Sequence, residues 1–316
     1  MKITNKKILA ATLSLGLILA GCGKDQKAEE KPAKTETTET AEAPAEKEES
    51  TKTANQEDYD FSVVSREEGS GTRGAFIELV GIEEEVDGSK EDMTTQEAIV
   101  QNSTNGVMQT VSQDTEAIGY ISLGSLNDTV KAVKIEGVEA TEENIVNGTY
   151  KISRPFNLAF KEAEINDLAK DFLKFCLSEQ AQTLTLEEGY VPLKDTEKYE
   201  PAKVSGTLTV AGSTSVTPLM QKMAEKYQEL NPDAKIEIQS TGSSAGIEAV
   251  IDGAADIAMA SRELKDEEKD KLAVEVIATD GIAVVVNPSS KVEDLTMDEL
   301  KQIFKGELRN TSELGK

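Results

Sequence analysis

Three loops in this sequence carry the residue types that hold a small anion. In AGSTSVTPLM, Ser213, Thr214 and Ser215 precede a helical pattern whose Pro218 suits a first turn. In STGSSAGIEAV, Gly242, Ser243 and Ser244 stand in the same place, and in REEGSGTRGAF so do Gly69, Ser70, Gly71 and Thr72. A helix start leaves amide groups unpaired and carries a partial positive charge. Hydroxyls add donors, and the glycines let a ligand come close to the backbone. Any one loop alone reads as an ordinary Ser/Thr N-cap. Three of them converging on one cleft would surround a tetrahedral oxyanion with hydroxyl and amide donors.

Arg66 is the cation beside the third loop, and a guanidinium can bond two oxyanion oxygens at once. Glu68, two residues on, is placed to hold it. Taken by itself, such a pair reads as a surface ion pair.

Several chemistries are closed to this chain. GSGTRG lacks the Gly-Lys-Ser/Thr ending of a Walker loop. No carboxylate cluster has metal-ligand spacing, so neither a metal nor a cofactor is expected. The sequence has no His, which removes His-dependent triads, His metal sites and His general bases. A formal net charge of −25 argues against nucleic acid and other polyanionic partners. It leaves a small anion possible, because screening weakens distant surface carboxylates at a site built of local dipoles. Charged stretches such as RELKDEEKD read as solvated helical faces. Cys176 shares an apolar helical face with Leu168, Phe172 and Phe175, so it reads as a core thiol.

The elements around these loops alternate between apolar strand patterns and helical patterns from residue 59 onward. That alternation implies an α/β protein with largely parallel sheets. TTQEAIVQN reads as a helix start, and STNGVMQTVSQ as another helix. ISRPFNLAF reads as a strand interrupted by Pro155, which demotes that point to an edge or a crossover. INDLAKDFLKFCLSEQAQTLTLEEGY reads as one long amphipathic helix, residues 193–205 as a polar connector, and VEVIA and GIAVVVN as two strands. About 258 residues from Tyr59 to Lys316 suffice for a sizeable core in two lobes.

The N-terminus reads as an address. MKITNKK is a positive n-region, and ILAATLSLGLILA is an apolar stretch too short for a comfortable membrane span. Leu19-Ala20-Gly21-Cys22 resembles the bacterial lipobox, which implies a signal peptide over 1–22 and a lipid on Cys22. Residues 24–58 contain no Val, Ile, Leu, Met, Phe or Tyr, so 23–58 is expected to be a disordered acidic tether.

The combination AGSTSVTPLMQKMAEKYQ, STGSSAGIEAVIDGAADIAMASREL, DGIAVVVNPSSKVEDLTMDELKQIFKGE and VVSREEGSGTRGAF resembles the phosphate-binding lipoproteins of bacterial high-affinity phosphate ABC importers. The resemblance covers residues 60–316. It implies a two-lobed, periplasmic-binding-protein-like (type II) α/β fold with a hinge. It also implies an extracytoplasmic, lipid-anchored and monomeric receptor that hands phosphate to permease subunits and does no covalent chemistry. Carried over motif by motif, the phosphate ligands are Thr214, Ser215, Ser243 and Ser261 together with Arg66, Ser70, Gly71 and Thr72. Some members have an Asp directly after the serine of the DIAMAS motif, where this chain has Arg262. That Asp accepts a hydrogen bond from protonated phosphate, whereas Arg262 can only donate. Asp280 is the candidate replacement, although it also reads as a strand-end cap.

In that family the AGSTS-type loop precedes the REEGSGTR-type loop; here the order is exchanged. The simplest reading is a circular permutation, with Lys316 leading back to Asp60 and the two lying close together in one lobe. One lobe is then expected over 59–152 plus 287–316, the other over 153–286, with crossovers near 152–155 and 286–288. A truncated tandem duplication and an incomplete, non-binding product are the competing accounts of the order. Competing functions are a receptor or sensor for another tetrahedral oxyanion, and a phosphatase-like hydrolase. For the last, no activated nucleophile is evident.

Overall fold

The computed structural model describes residues 58–316 apart from residue 87. The residues read as a signal peptide, Cys22 among them, and those read as a tether up to residue 57 therefore lie outside the described residues. Strand β1 (Ser62–Arg66) leads into helix α1 (Gly71–Val80), capped by Ser70 at its start and by Gly81, at φ 75°, at its end. A hairpin of β2 (Glu83–Val86) and β3 (Ser89–Asp92) follows, then β4 (Ile99–Gln101) and α2 (Thr104–Gln113). β5 (Ala117–Ser122), the short strands β6 (Lys131–Ala132) and β7 (Lys134–Ile135), and α3 (Glu142–Val146) complete this stretch.

The chain then enters β8 (Ser153–Phe160), α4 (Asp167–Cys176) and α5 (Glu179–Glu187). β9 (Gly206–Gly212), α6 (Thr217–Leu230), β10 (Ala234–Ser240), α7 (Ser243–Ile251), β11 (Ile257–Ala260) and α8 (Asp266–Lys269) come next. β12 (Ala273–Val286), β13 (Asp294–Leu295) and α9 (Met297–Lys305) close the sequence.

The main sheet runs β10-β9-β11-β8-β12-β5-β1-β4, with β6 also on β12. Its two arms are parallel, β10-β9-β11 on one side and β5-β1-β4 on the other. Antiparallel β8 and β12 join them. β12 is the structural link. Ala273–Gly281 pair with β8, and Ile282–Val286 pair with β5.

Packing follows the period of two that a strand imposes. On β12, Ile282, Val284 and Val286 enter one apolar cluster with Phe76, Tyr120 and Phe304, while Ala283 and Val285 enter another with Val107 and Val111. On β8, Phe156, Leu158 and Phe160 face Phe172, Phe175 and Tyr227, and Ala159 faces Ile247 and Val250. Each arm is thus covered on both faces, as parallel strands require. Two of the clusters draw on residues 156–278, the other two on 63–152 and 282–308. The crossing in β12 therefore falls at Gly281/Ile282 rather than at Val286/Asn287, because Ile282–Val286 pair with β5.

Three local readings are corrected. TTQEAIVQN contains a turn and β4, an edge strand too short for its alternation to show. Pro155 agrees with its edge-or-crossover reading: on β8 it pairs with β12 alone, because the β11 ladder stops at Asn157 and no donor toward β11 is required. The long helix is two helices, because Ser178 caps a new start by accepting from the Ala181 amide. VEVIA and GIAVVVN form one continuous strand with an irregularity between Val276 and Ala278. Cys176 is fully buried, and burial pushes its thiol pKa up.

The two ends of the described chain are joined. Phe61 N–H donates to the Arg309 carbonyl at 2.8 Å and Thr311 N–H to the Tyr59 carbonyl at 2.9 Å. Asn310 Nδ2 donates to Asp60 Oδ1 at 2.8 Å. The strand partner of Asp60 is thus Asn310.

Candidate functional site

The loops identified in sequence lie at the carboxyl ends of parallel strands, where open α/β sheets bind ligands. Arg66 ends β1, Ser213 follows β9, Ser243 follows β10 and Ser261 follows β11. The two arms turn these edges toward each other. Arg66, Ser70, Thr72, Ser213, Ser215, Ser243 and Ser261 are all buried, the last three completely.

Their contacts form one hydroxyl network. Ser213 Oγ donates to Ser261 Oγ at 2.9 Å, and the Ser261 amide donates to Ser243 Oγ at 3.2 Å. Across the arms, Thr72 Oγ1 and Ser215 Oγ lie 2.8 Å apart, and Arg66 Nη2 donates to Thr214 Oγ1 at 3.1 Å. The Ser244 amide donates to the Gly69 carbonyl at 3.1 Å. A Cβ on Gly71 would lie 2.3 Å from Ser243 Oγ and 2.7 Å from Ser261 Oγ, so only glycine lets the α1 start approach them. Of the eight loop residues carried over from the motifs, seven meet in this assembly, while Ser70 Oγ caps α1 by accepting from the Arg73 amide.

Electrostatics around the network are balanced pair by pair. Arg66 is held by Glu67, not by Glu68: Nε donates to Oε2 at 2.8 Å and Nη2 to Oε1 at 2.9 Å. The chain turns directly after β1, which brings the adjacent carboxylate back onto the guanidinium. Arg66 Nε also donates to the Gln101 carbonyl, which leaves Nη1 without a protein acceptor among the described residues. Arg262 gives its guanidinium to Glu268 at 2.7 and 2.8 Å and to Ser244 Oγ at 3.1 Å. Although Glu268 is partly buried, which opposes ionisation, its bonds to Arg262 and the Lys265 amide hold its pKa low.

Asp280 is fully enclosed, but its oxygens are turned to other partners than the loop hydroxyls. Oδ1 accepts from Ser122 Oγ at 2.9 Å, and Oδ2 accepts from Arg154 Nη2 at 3.0 Å. Burial raises its pKa to about 6, against the opposing pull of Arg154 and Ser122.

Two residues that the sequence reading passed over also enter the assembly. Thr104, at the start of α2, places Oγ1 3.1 Å from Ser215 Oγ. Its NSTNG context carries the same Ser/Thr/Gly helix-start signal as the other three loops. Arg154 donates through Nη1 to the Ser261 carbonyl at 3.0 Å. A charge inside an apolar strand pattern gives no local sign of that role.

Two arms of parallel sheet presenting helix starts to one another define a ligand-clasping binding protein. A family model described as "PBP superfamily domain" matches residues 15–180 and 197–315. "Phosphate-binding protein PstS 2" of Streptococcus agalactiae is 50% identical over 258 residues, 81% of this chain and 88% of that protein. A crystal structure of a phosphate ABC transporter phosphate-binding protein from Streptococcus pneumoniae TIGR4 is 45% identical. It covers 79% of this chain and 97% of its own, with a TM-score of 0.64. The Bacillus subtilis protein PstS is 41% identical over 118 residues, 36% of this chain and 39% of that protein. The chain belongs to the PBP superfamily and, within it, to the PstS phosphate-binding protein family.

Proposed function

We propose that this chain captures inorganic phosphate outside the cytoplasm and delivers it to the permease of an ABC importer, without chemistry on the ligand. The observation that carries the reading is the meeting of helix starts from both arms, with Arg66 on Thr214 and the buried hydroxyls of Thr72 and Ser215 in contact. That arrangement supplies charge and donors in a dry setting, where each is worth more than in water. The bound anion would take the remaining amine of Arg66, the amides of Gly71 and Thr72, and the hydroxyls of Ser70, Thr214, Ser215, Ser243 and Ser261. The engaged oxygens of Asp280 favour an indirect role for that residue.

The reading extends to architecture and location. The lobes would be 59–152 plus 282–316 and 153–281, with the hinge at β8 and β12. Cys22 would carry the lipid that tethers a monomeric receptor. A circularly permuted order is supported by the pairing of Tyr59–Phe61 with Arg309–Thr311. It is also supported by the contrast between a streptococcal match over 258 residues and a Bacillus match over 118.

Calorimetric titration with phosphate, sulfate and arsenate tests the ligand. Stoichiometric phosphate binding by a species that is monomeric in light scattering is expected. No heat with phosphate, or turnover of a chromogenic phosphomonoester, would overturn the reading.

A further inference from the structure

Behind the hydroxyl network lies a buried polar relay that belongs to neither loop nor lobe core. Arg154 stands at the start of β8 and Asp280 near the middle of β12, each where its strand passes between the arms. Their side chains are 2% and 0% exposed. Arg154 Nη2 donates to Asp280 Oδ2 at 3.0 Å, and Nε lies 3.3 Å from the same oxygen. Nη1 donates to the Ser261 carbonyl at 3.0 Å. On the other side, Ser122 at the end of β5 donates to Asp280 Oδ1 at 2.9 Å. The sequence Ser122–Asp280–Arg154–Ser261 thus runs from one arm, through both crossing strands, to a hydroxyl-bearing turn of the other arm.

The turn it reaches is pinned from behind at two successive carbonyls. Arg154 holds that of Ser261, and Asn157 Nδ2, also on β8, holds that of Arg262 at 2.8 Å. The Ser261 side chain and amide meanwhile bond Ser213 and Ser243. The peptide of Ser261 is therefore fixed on its rear face by β8 and offers its hydroxyl on the front. The Arg154 guanidinium also lies 5.5 Å from the ring centroid of Phe156, which fills the space beneath it. Arg66 is close enough to act electrostatically on Arg154, so the relay sits within range of the anion site's own charge.

We infer that Arg154 is a positioning residue for the anion site, anchored by Asp280 and Ser122 at the crossing strands, and that it sets phosphate affinity by orienting Ser261. The guanidinium has two tasks that a single donor cannot perform together: it spans the carboxylate of β12 and the carbonyl of the binding turn. Asp280 acts through Arg154 and contributes a frame of hydrogen bonds rather than a ligand.

This inference rests on the phosphate reading. The test titrates the full chain and three variants, Arg154→Met, Arg154→Lys and Asp280→Asn, with inorganic phosphate, and records melting without ligand for each. Arg154→Met is expected to weaken phosphate roughly tenfold or more, the scale of removing one charge-assisted hydrogen bond from an ordered site. Arg154→Lys keeps the charge but places its donors on one nitrogen, which reaches the carboxylate and the carbonyl less well than a guanidinium, so it should recover part of that affinity. Asp280→Asn keeps the shape but has one acceptor oxygen in place of two, so it should loosen the hold on Arg154 and weaken phosphate by less than Arg154→Met does.

Wild-type affinity in folded Arg154→Lys or Arg154→Met overturns the inference. So does a loss in Asp280→Asn as large as that in Arg154→Met, which would make Asp280 a direct acceptor. If Arg154→Met does not fold, the Lys and Asn variants decide. Wild-type protein that fails to bind phosphate overturns the phosphate reading and this inference with it; binding that ignores the Arg154 variants overturns this inference alone.

Discussion

The hydroxyls of Thr72 and Ser215 lie 2.8 Å apart and are buried, although 143 residues separate them in the chain. Thr72 belongs to the start of α1 in one arm, and Ser215 precedes α6 in the other. Their contact is thus a direct bond between the facing edges of the sheet. Thr104 Oγ1 supports it from 3.1 Å. Thr72→Val and Ser215→Ala should each weaken phosphate binding, and their combination should cost less than the sum. A coupling of about 1 kcal/mol is expected for one buried hydroxyl pair. A double-mutant cycle by calorimetry measures it, and strict additivity would remove the pair from the closed arrangement.

Arg66 carries the charge of the site, and its removal should cost affinity directly. Glu67 and the Gln101 carbonyl hold its guanidinium, so little side-chain freedom remains to be lost on binding an anion. Arg66→Ala should weaken phosphate by roughly tenfold or more, and Arg66→Lys should recover only part of that. Glu67→Gln tests the holding carboxylate, since it keeps the acceptor but releases the bidentate ion pair. Unchanged affinity in Arg66→Ala would rule out its role at the site.

What the sequence disclosed depended on whether the signal was local. Ser70, Thr214 and Ser243 were legible because a helix start needs Ser, Thr or Gly in fixed places, whatever lies opposite. Alternation of apolar runs likewise revealed the α/β class. Arg154 was illegible because its burial depends on Asp280, 126 residues away, and on a carbonyl at Ser261. The break at Ser178 was hidden because apolar periodicity continues through it. Spacing pointed to Glu68 and left Glu67 unread, because it says nothing of the turn after β1.

Asp280 predicts a pH signature in stability. Burial raises its carboxyl to about 6 in the folded chain. In the unfolded chain an aspartate titrates near ~3.9. A group raised on folding contributes stability that is fully present below the unfolded value and lost as pH rises through the folded one. Asp280→Asn cannot titrate, so its stability relative to wild type should climb between about pH 4 and pH 6 and level off above. Urea unfolding of both proteins across that window gives the difference directly, and other carboxylates cancel from it. A difference that stays flat would mean that Asp280 keeps an ordinary carboxylate pKa.

Gly71 separates folding from closure. It opens α1 and sits where a Cβ would come within 2.3 Å of Ser243 Oγ and 2.7 Å of Ser261 Oγ. Both serines are fully buried and tied into the hydroxyl network, so neither can turn away without breaking bonds to its neighbours. The contact lies between the two arms, whereas the apolar clusters that hold each arm together do not include Gly71. Gly71→Ala should therefore leave each arm folded while holding their edges apart. Alanine at a helix start carries no conformational penalty of its own. The expected result is a melting temperature in the absence of ligand within a few degrees of wild type, with phosphate affinity reduced on the order of a hundredfold. Small-angle scattering supplies the second readout, because wild type should contract on adding phosphate and the variant should not. A variant that binds and contracts like wild type would mean that the α1 start and the two serines do not meet in the liganded protein.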